Sequence, residues 1–140
     1  LTSYYSLSIA RFEKFMALEI TGLNHVNVTV PRSLEAEAKH FYGTVLGLEE
    51  LEKPGESKKR GGAWYVIGPV QLHLSIEDGA EGHALSKRHV CYIVTDAAEA
   101  ERELRAAGVE IVPDDQPIEG LKRFFVRDPG GNRIEMAQRA

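Results

Sequence analysis

Apolar residues in this chain recur in two rhythms, and the same order of rhythms is written twice. In HVNVTV (25–30), Val26, Val28 and Val30 alternate with His25, Asn27 and Thr29, the two-residue period of a strand with one covered face. From Ser33 to Leu46 the steps lengthen to three and four, through Leu34, Ala38, Phe41, Val45 and Leu46. That spacing predicts a helix, with Ser33 as its cap and Gly47 as its stop. Alternation returns in WYVIG (64–68) and VQLHLSI (70–76), where Leu72, Leu74 and Ile76 oppose Gln71, His73 and Ser75. The second copy runs HVCYIV (89–94), a helical stretch from Ala97 to Ala107, RFFVRD (123–128) and NRIEMA (132–137). Its helix has a stripe of Ala97, Ala100, Leu104 and Ala107, a capping-box-like Asp96 with Glu99, and a stop at Gly108. The polar, glycine-containing stretch 77–87 reads as the linker between copies.

The pattern predicts an α+β fold: two modules whose strands lay their apolar faces under two helices, the only large cover available. The opposite faces then carry His25 and His73 in the first module and His89 and Glu135 in the second. His25 and His89 open matching strands, and His73 and Glu135 lie inside later ones at nearly the same offset. A metal-ligand residue type thus stands at the same two places in each copy. Three imidazoles and one carboxylate suit a first-row divalent ion, with bonds of about 2.0–2.2 Å for zinc. The same donors accept nickel, cobalt, manganese or iron. The plain alternative for any one strand histidine is a hydrogen-bonded structural role; the coincidence of all four favours a metal site. Such an ion could polarise a substrate oxygen, stabilise an enolate, or lower the pKa of a bound water.

Other polar candidates follow from parity. Arg123 and Arg127 share a parity with Phe125, so either could hold a substrate carboxylate or phosphate, and a solvated strand-end arginine is the alternative. Trp64 and Tyr65 point opposite ways, so one belongs to the core and the other to the cavity. His40 and His83 read as surface residues, and Cys91 as a small buried hydrophobe. DPGGN (128–132) reads as a tight turn rather than a phosphate loop, because no helix follows it.

Composition narrows the classes. With 140 residues, 43% hydrophobic and 27% charged, the chain is expected to hold one domain over 20–140, with modules at 20–78 and 88–138. A net charge of −4 without a basic cluster argues against nucleic acid, and Lys58-Lys59-Arg60 reads as a solvated loop. A single cysteine excludes an intrachain disulfide and fits a reducing, cytoplasmic setting. No apolar run reaches the roughly 20 residues a bilayer span needs. Residues 1–19 read as a tail or extended leader without a secretory signal's apolar stretch.

LNHVNVTV, HFYGTVLGL, QLHLSI, RHVCYIV, AAGVEIV and RDPGGNRIEM together resemble the vicinal oxygen chelate superfamily over about 20 to 138. That superfamily includes glyoxalase I, extradiol dioxygenases, fosfomycin-modifying enzymes and bleomycin-resistance proteins. The resemblance implies two βαβββ modules forming a cup-shaped, mostly antiparallel mixed sheet with helices outside. It places the ligand positions on His25, His73, His89 and Glu135, with Glu135 as ligand or catalytic base. Glyoxalase I carries glutamate at the His73 position, so this chain departs there, in charge and in basicity. Extradiol dioxygenases correspond through His25, His89 and Glu135 with iron. The cation-binding loop usual in fosfomycin thiol transferases is not found in this sequence.

The resemblance is nearest to a bacterial subgroup of small glyoxalase-like proteins without an assigned substrate. It implies a metal-dependent lyase, isomerase or dioxygenase acting on a small, oxygen-rich, anionic substrate, with Arg123, Trp64 and Tyr65 lining the site. The alternative is a non-catalytic drug- or metabolite-binding protein of the bleomycin-resistance type. A homodimer is expected, with sites shared between subunits or held within one.

Overall fold

The computed structural model describes residues 18–79 and 86–139, so the expectations for the leader, for His83 and for most of the linker lie outside the described residues. Module one comprises β1 (His25–Val30), a 3-10 turn at Arg32–Leu34 leading into α1 (Glu35–His40), β2 (Glu50–Leu51), a second 3-10 segment at Gly55–Arg60, β3 (Ala63–Ile67) and β4 (Val70–Ile76). Module two comprises β5 (His89–Val94), α2 (Ala97–Ala106), β6 (Ile111–Val112), β7 (Lys122–Arg127) and β8 (Arg133–Gln138). Each module forms a four-stranded mixed sheet, ordered β1-β4-β3-β2 and β5-β8-β7-β6. β1 runs parallel to β4 and β5 parallel to β8, while the remaining pairs are antiparallel. This is the α+β arrangement of two βαβββ modules that the family resemblance implies.

Burial follows the parity. Val30, Leu72, Leu74, Tyr92, Ile134 and Met136 lie in one core with Ala38, Phe41 and Tyr42 of the first helical segment and Ala97 and Leu104 of the second. Asp96 caps α2, its side chain accepting from Glu99 N at 3.0 Å. Gly47 and Gly108 end the two helical segments at φ 68° and 81°, a backbone that L side chains resist.

The first helix differs from its expected form. Pro31 fixes a 3-10 entry, with Leu34 N donating to Pro31 O at 2.9 Å, so Ser33 sits inside the turn and caps nothing. Beyond α1, Phe41–Val45 is wound as a π-helix, closed by Leu46 N donating to Phe41 O at 2.8 Å. Ala107 is exposed just past α2 rather than part of its buried stripe.

The two modules are tied by a buried polar knot. Tyr42 donates to Asp128 Oδ2 at 2.6 Å, and Asn132 Nδ2 is 2.7 Å from the same oxygen and 2.8 Å from Thr29 O. Asp128 Oδ1 accepts from Asn132 N at 2.9 Å, so the DPGGN turn presents a fully engaged carboxylate to the neighbouring module. Gly130 lies against Val30 with no room for a side chain, since a Cβ there would stand 2.6 Å from Val30 Cγ1.

Candidate functional site

Each module presents one donor pair on the face away from its helix. In module one, β1 and β4 align Asn27 with His73, which sets His25 diagonally beside His73. The two imidazoles stack with centroids 4.0 Å apart and planes at 13°. Trp64 of β3, opposite His73 in register, extends the stack at 4.1 Å and 3°. His25 Nδ1 lies 2.8 Å from Asn24 Oδ1, and His73 Nε2 lies 2.9 Å from Gln71 Oε1. With those amide oxygens accepting, the lone pairs fall on His25 Nε2 and His73 Nδ1. Burial first, then the neighbouring His25 and Lys53, pushes the His73 pKa down, which favours the neutral, ligating form.

In module two, β5 and β8 place Cys91 opposite Glu135, with His89 two residues before Cys91. His89 Nε2 stands 2.9 Å from Glu135 Oε2, and His89 Nδ1 stands 2.9 Å from Lys87 O. Both ring nitrogens therefore face oxygen atoms. Two neighbouring ligands of one ion at about 2.1 Å also lie about 3 Å apart. Glu135 is buried, and its Oε1 is held by Arg123 Nη1 at 3.3 Å. Beneath them lies Phe125, edge-on to His89 at 6.0 Å, with Arg133 4.2 Å over its ring.

The four donors are thus brought together two by two. Among the described residues, no three His, Cys, Asp or Glu side chains stand together so that they could hold a metal ion. Within one chain the four side chains therefore stand as two separate pairs, His25 with His73 and His89 with Glu135.

The remaining candidates divide. Trp64 belongs to the open face, whereas Tyr65 is fully buried on the helix side near Tyr42. Its hydroxyl is held protonated by burial, with a pKa raised to about 12, so Tyr65 is a core residue and not a cavity-lining one. Arg123 reaches the open face, but Asp114 takes its Nε at 2.9 Å and Gln116 O its Nη2 at 2.9 Å. Its charge is already met by two carboxylates, so it positions Glu135 instead of standing ready for a substrate anion. Cys91 is exposed and not buried, because it shares the open face with His89. His40 is exposed, as expected. Asp114 escaped the sequence reading because it lies in a loop with no periodicity; Asn24 and Gln71 were legible as neighbours of the two histidines on the chain or on the strand face.

Between the modules, a cavity of about 250 Å³ is lined by Asn27, Thr29, His89, Asn132 and Arg133, among others. No helix among the described residues is long and apolar enough to cross a membrane.

A protein from Bacillus anthracis described as of the glyoxalase family shares 37% identity, covering 89% of this chain and 100% of that one, with a TM-score of 0.79. The fosfomycin resistance protein FosX from Listeria monocytogenes shares 17% identity over 87% of this chain and 94% of its own, with a TM-score of 0.71. TnmS3, an antibiotic binding protein from Streptomyces sp. CB03234, shares 19% over 88% of this chain and 99% of its own, with a TM-score of 0.67. The latter two show likeness of fold alone. No curated protein matches the chain. The match over residues 22–136, together with the 37% identity to the Bacillus anthracis protein, shows that the chain belongs to the Glyoxalase/Bleomycin resistance protein/Dioxygenase superfamily.

Proposed function

We propose that this protein is a metal-dependent glyoxalase-like enzyme whose site is completed between two copies of the chain. His25 and His73 of one copy would meet His89 and Glu135 of the other around one zinc, nickel, cobalt, manganese or iron ion. The observation that carries this reading is the pairing of donors at equivalent places in the two half-sheets. Each pair is oriented by its own hydrogen bonds and lies on the face away from the helices. When bound there, a divalent ion would polarise two neighbouring oxygens of a small, oxygen-rich, anionic substrate. Lyase, isomerase and dioxygenase chemistries all use that property. Glu135, held by Arg123, is the carboxylate able to take a proton at Oε2, the atom that faces His89.

Metal analysis and complementation test the reading together. Chelator-free protein should carry roughly one divalent ion per chain, as a complete ligand set requires. A mixture of His25→Ala/His73→Ala chains with His89→Ala/Glu135→Ala chains should regain metal in mixed dimers, because a shared arrangement leaves one site intact. Metal that stays far below stoichiometry after reconstitution, or a protein that is strictly monomeric, would overturn the proposal.

The half-sites of the single chain favour one alternative, a non-catalytic protein that binds a small drug or metabolite across the open face. Tight ligand binding without turnover, surviving Glu135→Ala, would select it.

A further inference from the structure

The basic run Lys58-Lys59-Arg60 is exposed, as expected of a solvated loop, yet its three charges are not equivalent. Lys58 pairs with Glu52, and Lys59 Nζ lies 3.1 Å from Glu56 Oε1. Arg60 has no hydrogen-bond or ion-pair partner among the described residues. It borders a cavity of about 250 Å³ on module one, together with Lys53, Ser57, Trp64, His73 and Ser75. No aspartate or glutamate among the described residues lines that cavity. The hydroxyls of Ser57 and Ser75 already donate to Pro54 O and Asn27 Oδ1, so they are not free to donate to a ligand. Lys53 donates one of its three hydrogens to Gly61 O. Among the lining side chains, Lys53 and Arg60 carry the positive charge, beside the wall that Trp64 and His73 form.

The electrostatics point the same way. Burial, then the charges of Arg60 and Lys39, push the Lys53 pKa down, against the opposing pull of Glu35. Glu35 is the acidic group that acts on Lys53 against these cations, whereas Arg123 is paired with both Asp114 and Glu135.

We propose that the pocket bounded by Lys53, Arg60, Trp64 and His73 is a subsite for a small anionic group, a carboxylate or a phosphate. The Arg60 fork would take two of its oxygens and Lys53 a third contact. The subsite places the anionic end of a ligand beside His73. It rests on the preceding reading only in calling that ligand a substrate; the binding itself needs no metal.

Trp64 is the only tryptophan in the chain, so its fluorescence reports on this pocket directly. The full-length protein, stripped of metal with EDTA and then dialysed free of the chelator, is titrated with inorganic phosphate and, separately, with benzoate, each at constant ionic strength. The expected result is a saturable change in Trp64 emission with at least one of the two anions. Arg60→Gln and Lys53→Gln should each weaken it about tenfold or more, as loss of a charge-assisted hydrogen bond does. Lys59→Gln, which removes an equal charge outside the pocket, should leave it unchanged. Preference between the anions tells phosphate from carboxylate. A flat or unsaturable response, or equal weakening by Lys59→Gln, overturns the proposal. Circular dichroism confirms that the variants are folded. Because the protein is metal-free throughout, absence of a metal site would not disturb this result, and the two ideas fail separately.

Discussion

Removing one oxygen atom tests whether the buried knot at the DPGGN turn holds the modules together. In Tyr42→Phe the ring stays packed edge-to-face on Phe41, with centroids 5.0 Å apart, and only the hydroxyl that donates to Asp128 Oδ2 at 2.6 Å is lost. Tyr42 is fully buried, and burial and the Asp128 charge both raise its pKa well above the ordinary tyrosine value. The hydroxyl is thus a committed donor to a carboxylate, a bond worth about 1.5–3 kcal/mol. The lower part of that range applies, because Asp128 Oδ2 keeps Asn132 Nδ2 at 2.7 Å and is not orphaned. The expected loss is therefore about 2 kcal/mol in urea unfolding, with the slope against denaturant unchanged.

A double-mutant cycle isolates the bond from the rest of the site. Asp128→Asn alone should cost more than Tyr42→Phe, since it also disturbs the pairing with Asn132. The coupling between the two substitutions should be about 1–2 kcal/mol for groups in direct contact. Tyr42→Phe within about 0.5 kcal/mol of the parent, or a coupling near zero, would refute the idea that this contact fixes one module against the other.

Three further outcomes follow from the same structure. Gly130→Ala should destabilise by about 1–3 kcal/mol through overpacking against the buried Val30, and Val30→Ala should recover part of that loss in the double variant, as thermal melts would show. Asp96→Ala should cost about 1 kcal/mol by leaving Glu99 N without its cap, measured by chemical unfolding. Glu35 accepts from Gly62 N at 2.8 Å, chiefly for which its pKa is lowered. A depressed carboxylate contributes stability above its unfolded pKa and loses it as pH falls through the folded value. The acid limb of the stability profile should therefore flatten in Glu35→Gln.

Legibility in the sequence tracked how far each feature depends on neighbours along the chain. β1, β4 and β5 match their predicted bounds because strand alternation is a local property with one covered face. Asp96 was readable as a cap because capping spans three residues. Ser33 misled for a related reason: Pro31, two residues earlier, starts a 3-10 turn before the helix proper begins. Cys91 shows parity outranking residue type, since its strand position puts it beside His89 whatever the thiol prefers. The faces of His25, His73, His89 and Glu135 were legible, but their distances across the molecule were not. Periodicity fixes which side of a sheet a residue occupies and is silent on how two sheets face each other. Arg60 and Asp114 depended on tertiary contacts from loops, where no period exists to read.

Two donors per half-sheet carry a thermodynamic consequence of their own. An ion gripped by only two side chains in one chain competes poorly with water, whereas four from two chains would bind it far more firmly. If the sites form between copies, metal binding and self-association must strengthen each other by the same factor, because both describe one closed cycle. Adding zinc or nickel should then lower the concentration at which sedimentation shows dimers, and raising protein concentration should tighten metal binding. Glu135→Gln should weaken both together, while leaving the metal-free dimer as it was. A metal affinity independent of protein concentration over a range where the dimer dissociates would break that cycle, and the two half-sites would have to be read as separate surfaces.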